Sequence, residues 1–467
     1  MISRRQCLAG FMGVGMLPIV HAAPSTEATL WDVIVVGSGV AGLSAASTAK
    51  ASGAKRVLVL EKGPLIGGHS LYSSGSIAAV APKRGGVSLE DESVEHFVAN
   101  ALAVGGGTGD PLILAKIGRD SAAVLDWLES LGIFFGPPFV AYTALNSRSW
   151  AMPGNSAGRS YVLALAAHFR RMGGEVRLSS GVTGLDIVGD EWRLTTDKAT
   201  YRARSVVIAS GGFTANVKER MKINPLLTPD VTTSANPTNM QFDGATGEMI
   251  RLAQGVGAAV TSGFGLQALP FWGGRLLDYA GADIYVDARG HRFVNENLPW
   301  NALSQAILQL PERRCYVITD GQSYKGATLG VKLINGTVSK SSSVADMAKG
   351  MRVNGDVLAE TIRRYNQAVD EGYDQTTGKN FFRQRIEKPP FYWGEERIYV
   401  HTTLDGLKTN ERAEVLKPEG RIIRGLYAAG EVVGGIFGQD RLGGAGMTAC
   451  FVMGREAGRQ AAAYVGN

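Results

Sequence analysis

The stretch from Trp31 to Lys62 leaves few folds open. Trp31-Asp-Val-Ile-Val-Val36 is a short apolar run suited to a strand buried on both faces. Gly37-Ser38-Gly39-Val40-Ala41-Gly42 follows at once, and the small residues from Leu43 to Ala51 read as a helix. Val57-Leu-Val-Leu60 is a second buried strand, ending in Glu61-Lys62. Together they form a βαβ unit with a dinucleotide fingerprint, G-x-G-x-x-G at the first turn and an acid 19 residues beyond the third glycine. The glycines allow a tight turn, approach of a pyrophosphate and close packing of helix on strand. The helix N-terminus supplies unbonded N–H groups and partial positive charge. Glu61 stands where an acid would hydrogen-bond the adenosine ribose hydroxyls.

Length and composition extend this reading. The chain has 467 residues, beyond the size at which one core usually stops growing, so two domains are expected. Its 61 glycines are well above the ordinary ~7% and cluster beside apolar runs, as they do where backbone must meet a phosphate or turn sharply. Val206-Val-Ile-Ala-Ser-Gly-Gly-Phe213 and Gly425-Leu-Tyr-Ala-Ala-Gly-Glu431 are further strand-to-turn segments of the same kind. The texture changes after Leu269, with a turn-rich Asp287-Ala-Arg-Gly-His291, a polar stretch at Ser339 to Ser343 and an amphipathic helix over Val357 to Val369. The fold expected is α/β: a Rossmann-like dinucleotide domain over residues 30–268 and 402–467, with an α+β capping domain inserted at 269–401.

Several classes drop out. The net charge of +6 has no long basic run or aromatic-interleaved patch behind it, so no nucleic-acid partner is expected. The six histidines are scattered and form no pair at metal-ligand spacing, so no metal is expected. Residues 1–23 read as a signal peptide: a charged start with Arg4 and Arg5 after Ser3, an apolar stretch from Leu8 to Val20, and a small-residue cleavage site at His21-Ala-Ala-Pro24. The paired arginines resemble the twin-arginine signal, with Cys7 where that signal usually has Phe; periplasmic export of the folded protein is expected. No other segment is long and apolar enough to span a membrane. Cys315 and Cys450 remain after the leader and allow at most one disulfide.

The ordered set of motifs resembles the flavoprotein subunits of the fumarate reductase and succinate dehydrogenase superfamily, most of all the soluble exported fumarate reductases. It comprises Val36–Gly42, Glu61-Lys62, Ile66-Gly-Gly-His-Ser70 with Ser74-Gly75, Ala209-Ser-Gly-Gly-Phe213, Gly290-His-Arg-Phe-Val-Asn-Glu296, Gly425–Gly435 and Asp440-Arg-Leu-Gly-Gly-Ala-Gly446. The resemblance implies FAD as the dinucleotide and a cap that closes over it. Around FAD it places Gly37, Ser38, Gly39, Ala41, Gly42, Glu61, Lys62, Gly68, His69, Ser70, Ser74, Gly75, Val182, Gly211, Glu248, Glu431, Gly446 and Met447. The C-terminal helix would open at Gly443–Met447 and turn its N–H groups toward the flavin edge where reduction builds negative charge. His69 stands where membrane-bound relatives join a histidine covalently to the flavin; a histidine hydrogen-bonded near the flavin is the other arrangement left open.

The chemistry implied is hydride exchange between flavin and one alkene carbon, with an arginine of the cap exchanging a proton at the other. Here the resemblance breaks. Trp300 occupies the place of that arginine, and an indole is no practical acid at neutral pH. The family's His-Pro-Thr becomes Leu269-Pro270-Phe271, its second histidine of His-His-Thr becomes Thr402, and its proton-relay segment is shortened. Arg275, Tyr279 and His401 remain as proton-transfer candidates. Arg441 is kept and would clamp a carboxylate or polarise a carbonyl. Loss of two polar anchors, with Phe271, Trp272, Tyr279 and Trp300 near the expected pocket, argues against fumarate and succinate, because a dicarboxylate needs charge at both ends. An enoate or enone with a more apolar body is expected, with electrons arriving from a separate carrier such as a cytochrome c. Two alternatives stay open: a 3-ketosteroid-type dehydrogenase, and a flavin-binding electron-transfer subunit that has lost its proton-transfer groups.

Overall fold

The strand Ser25–Val36 is the centre of the larger sheet, and its last four residues are buried because strands pair on both sides of it. It runs parallel to Val57–Leu60 on one side and to Ala199–Ile208 on the other. Across the sheet the order is Glu414–Leu416, Ile422–Ala428, Ala199–Ile208, Ser25–Val36, Val57–Leu60 and Glu175–Arg177. The hairpin of Val182–Val188 and Glu191–Thr196 joins it beside Ala199–Ile208. This is a computed structural model, and it describes residues 25–82, 84, 92–140, 148–153, 157–271, 273–277, 279–326 and 328–466. The expected leader at 1–23 and Trp272 therefore lie outside the described residues.

Two helices cover the central strands. Val40–Ala51 leaves the first glycine turn as the fingerprint requires, and Ala445–Gly466 lies across it. Their backbones touch: a Cβ at Gly454 would stand 2.5 Å from the Ala41 carbonyl oxygen, and one at Gly458 would stand 2.1 Å from that of Ala45. Only glycine permits that approach. The C-terminal helix is thus fixed against the dinucleotide turn, which brings the Asp440–Met447 segment ahead of it to the same end of the sheet.

The inserted part is a second, antiparallel sheet with its own core. Leu266–Pro270, Phe391–Thr403, Arg314–Thr319 and Ile284–Val286 pair in that order, with Ser339–Ser341 also along Phe391–Thr403. The expected amphipathic helix is Gly355–Glu371; Asn354 caps its start by accepting from the Asp356 and Val357 N–H groups, and Gly372 closes it in the left-handed conformation. The polar serines are not a loop throughout, since Ser343 caps the helix Val344–Met351 by accepting from the Asp346 N–H. The long strand Phe391–Thr403 ties the two parts together, because its last residues pair with Leu266 and bond the Glu431 side chain.

A charged network lies inside this second part. Lys379 and Glu296 are fully buried and paired at 2.9 Å, and Arg292 bridges Glu296 and Asp374. Asp283 is fully buried beside them with neither carboxylate oxygen hydrogen-bonded. The disulfide that the sequence allowed is not formed: Cys315 and Cys450 are both free thiols, one in each core. Among the described residues no helix is long and apolar enough to cross a membrane, and no His, Cys, Asp or Glu cluster could hold a metal ion.

Candidate active site

The first glycine turn is stitched to its neighbours by one serine and one acid. Gly37 has φ +104° and lies so close to Ala209 that a Cβ would meet its carbonyl oxygen at 2.3 Å. Ser38 donates its N–H and Oγ–H to Glu61 Oε2 at 2.9 and 2.5 Å, and its Oγ accepts from the Gly67 N–H at 2.9 Å. Glu61 Oε1 takes the Gly63 N–H at 2.7 Å, so the buried carboxylate is held from both sides. Gly39 precedes the helix Val40–Ala51 in extended conformation with no side chain of its own to cap it, and no acid sits in the helix's first turn. Ser70 Oγ accepts from Val40 N–H at 3.1 Å. Ala41 is buried under Gly430, and Gly42 packs on the Gly37 carbonyl. Gly68 and Gly211 have positive φ and face open space where a side chain would project.

At one flank Lys62 Nζ donates to Glu248 at 2.8 Å and to Thr246 at 2.7 Å, holding the Glu248 carboxyl below its usual range although burial opposes this. Val182 is buried in the strand following the turn whose Ser180 N–H bonds the Glu61 carbonyl. Ser74 is exposed, whereas Gly75 is buried and accepts from the Tyr161 hydroxyl at 2.8 Å.

Further in, His69 Nε2 lies 2.6 Å from Asp243, whose other oxygen accepts from Thr233 Oγ at 2.6 Å. Burial pulls the His69 imidazole down, but the Asp243 bond and the charges of Glu431 and Asp243 outweigh it, so His69 titrates above its ordinary value. His401 behaves oppositely: burial and the nearby cations Arg441 and His69 push it well below its ordinary value. It is a neutral imidazole with Nδ1 2.8 Å from Ser234 Oγ. Glu431 accepts from the Thr403 N–H at 3.0 Å. The Arg441 guanidinium lies against Gly446, where a Cβ would fall 2.2 Å from its terminal nitrogen. Met447 packs partly buried on the same core.

The second part contributes an aromatic wall. Phe271 meets Trp300 edge-on at 5.7 Å and His401 at 6.1 Å. The Arg275 guanidinium lies 4.8 Å from the Trp300 ring centre and 5.5 Å from that of Phe271. Trp300 opens the helix Trp300–Leu308, and the next residue, Asn301, donates its N–H to Asp440 at 2.9 Å. Gln267 bonds the other Asp440 oxygen. Asp440, the residue preceding Arg441, is thereby tied to the helix that Trp300 opens and to the strand of Gln267. Of the sequence candidates, Arg275, His401 and Arg441 converge here. Tyr279 packs instead in a satellite core under Arg383, whose guanidinium is 5.0 Å from its ring.

The family described as FAD binding domain matches residues 32–447. The chain belongs to that family. FAD is its cofactor, and its α/β fold is shared with a flavocytochrome fumarate reductase. The protein is 32% identical to a probable fumarate reductase of Shewanella frigidimarina (strain NCIMB 400), over 95% of this chain and 76% of that protein. It is 31% identical to an NADH:fumarate oxidoreductase of Klebsiella pneumoniae (strain 342), over 94% of this chain, and spans 48% of that relative's length. The open conformation of a flavocytochrome c3 fumarate reductase superposes with a TM-score of 0.73 at 29% identity, covering 95% of this chain and 79% of that one. Relatives of this flavoprotein also include a urocanate reductase and an acrylate reductase subunit.

The residues present fit FAD. Beyond the Val40 N–H that Ser70 Oγ takes, the helix start at Gly39 can take a diphosphate, and at Gly68 and Gly211 a side chain would project into open space that a ligand can use. Glu61 ends the second strand with hydrogen-bonding capacity left on its carboxylate. Sequence reasoning missed Asp243, Thr233, Ser234, Gln267 and Glu396. They lie in irregular or strand segments with no motif of their own, and only the tertiary pairing brings them to the site.

Proposed function

We propose that this flavoprotein is an exported oxidoreductase that reduces or forms a C=C bond conjugated to a single carboxylate or a carbonyl on an otherwise apolar substrate. The observation that carries the reading is the convergence of Arg441, Arg275 and neutral His401 around the Phe271–Trp300 wall. FAD, when bound, supplies the hydride chemistry. Arg441 presents a planar fork for one carboxylate; Glu431 and Asp440 lie in the field of its buried guanidinium and keep it charged. Phe271, exposed and backed edge-on by the buried Trp300, offers the rest of the substrate an apolar surface. A second carboxylate would meet that wall, while the charge of Arg275 already lies in the field of Asp283 and Glu396.

Arg275 is the proton-transfer group in this reading. A neutral His401 has no imidazolium proton to give, and Tyr279 is occupied elsewhere. A guanidinium is a weak acid, but the carbon that receives the proton is far more basic than guanidine, so transfer runs downhill. His401 and Ser234 then act as a neutral hydrogen-bonding pair beside the substrate.

The N-terminal pattern at residues 1–23 supports periplasmic export by the twin-arginine route, and a separate carrier such as a cytochrome c would deliver the electrons. The test of function is direct. Dye-reduced protein is mixed without oxygen with a panel of enoates, enones and 3-ketosteroids, and its yellow colour followed. Reoxidation by monocarboxylate enoates supports the reading. Reoxidation confined to the steroids would move the protein to the dehydrogenase alternative, and silence throughout would favour an electron-transfer subunit.

A further inference from the structure

We propose that Glu396 is the positioning residue for Arg275, its ionised carboxylate clamping the Gly273–Arg275 turn so that the guanidinium stays over Trp300. This rests on the reading of Arg275 as the proton-transfer group. Glu396 belongs to no family motif, and its side chain is fully buried at the middle of the strand Phe391–Thr403. Its Oε1 accepts from the Gly273 N–H at 2.5 Å and from the Arg275 N–H at 3.1 Å. From the other side Lys332 Nζ donates to the Arg275 carbonyl oxygen at 2.5 Å. Both backbone polar groups of Arg275 are therefore gripped by side chains from two different elements.

The turn needs such a grip. Gly273 has φ +134°, which L side chains rarely adopt, and a Cβ at Gly274 would fall 2.4 Å from the Gly394 carbonyl oxygen. Two glycines in succession leave the unbound turn many conformations, and each would swing the Arg275 side chain elsewhere. Hydrogen bonds to an ionised acceptor are the stronger kind, so charge on Glu396 bears on the turn directly. Burial pushes the Glu396 carboxyl up, the two N–H bonds and the charges of Lys332 and Arg275 oppose it, and the balance stands at about 7. The other titratable groups in its field, the Cys315 thiol and the Tyr399 hydroxyl, are both pushed up and stay neutral. Its strand neighbours Glu395 and Arg397 pair with each other at 2.6 Å. Ionised Glu396 holds the turn in alkali; protonation through neutral pH weakens both bonds and loosens Arg275.

The experiment compares the FAD-loaded wild type with Glu396→Gln, Glu396→Ala and Arg275→Ala. It measures kcat and KM across the pH range, together with the Kd of a saturated, unreactive carboxylate read from the flavin absorbance. The wild type should lose kcat with a one-proton slope as pH falls through about 7. Glu396→Gln keeps an acceptor but cannot ionise, so like the protonated acid it should show the lowered, acid-side kcat of the wild type at every pH and lose that slope. Glu396→Ala should lower kcat by on the order of 10²-fold while the Kd moves by less than about threefold. A Glu396→Gln enzyme that keeps the wild-type slope overturns the proposal, even where the alanine variant does not fold. Full kcat in Glu396→Ala with a dead Arg275→Ala also overturns it and leaves the Arg275 reading standing. Full activity in Arg275→Ala removes both.

Discussion

The Arg275 guanidinium stacks on the face of Trp300, 4.8 Å from the ring centre, at the place where the family resemblance calls for an arginine. A cation from a neighbouring turn thus rests on the residue that stands in that arginine's place. Such a contact is worth roughly 0.5–2 kcal/mol depending on desolvation. Replacing Trp300 with Ala should therefore lower kcat by about twofold to thirtyfold through loss of the platform, while Trp300→Phe retains most of it. The check is steady-state kinetics beside thermal melts, so that a packing defect is separated from a misplaced cation.

Arg441 offers a sharper test of substrate geometry. Lysine keeps the charge but not the planar fork, so Arg441→Lys should cut kcat/KM for the preferred enoate by on the order of 10²-fold. Equal kinetics in the two proteins would take Arg441 out of the site.

His69 separates two ways of holding FAD. Its Nε2 is engaged by Asp243, and the pair keeps the imidazole protonated to higher pH than usual, which makes it a poor nucleophile. Acid precipitation of the loaded protein should leave the yellow colour in the supernatant. Colour in the pellet would show that His69 is the covalent anchor.

Asp283 predicts a stability effect of definite sign. Burial raises its carboxyl to about 6, and neither oxygen finds a partner, while Lys379 is already matched by Glu296. Because the folded value lies above the unfolded one, the penalty for its charge is absent in acid and builds up as pH rises from the unfolded value through about 6. Asp283→Asn should match the wild type near the acid end and exceed it in mild alkali, by at most on the order of 3 kcal/mol. Denaturant melts at two pH values decide it; a variant less stable at both contradicts this account.

The dinucleotide half was readable because its signals are local. The turn from Gly37 to Gly42 sits between two apolar runs, and the strand Val57–Leu60 ends where the sequence placed it. The C-terminal helix was visible too, although it starts at Ala445 rather than at Gly443. The cap was harder, because its site depends on which strands become neighbours. Arg275 reaches Trp300 only because the Gly273–Gly274 turn lies flat on Phe391–Thr403, a pairing no local pattern announces. For the same reason Tyr279, close to Arg275 in sequence, packs under Arg383. Departures are legible as well: Trp300 in place of the family's arginine is plain in the sequence, whereas the Arg275 contact on its ring belongs to the fold.

The central claim is a site for one carboxylate beside an apolar wall, and two nearly isosteric alkenes test it most directly. Fumarate and its monomethyl ester differ by a single charge, and the measurement is the ratio of their kcat/KM values with the dye-reduced protein. A carboxylate against Phe271 and Trp300 loses its hydration and meets only Arg275, whose charge already lies in the field of Asp283 and Glu396, so the monoester should be favoured by on the order of 10²-fold. Equal rates, or preference for fumarate, would contradict the account and return the protein to the dicarboxylate reductases.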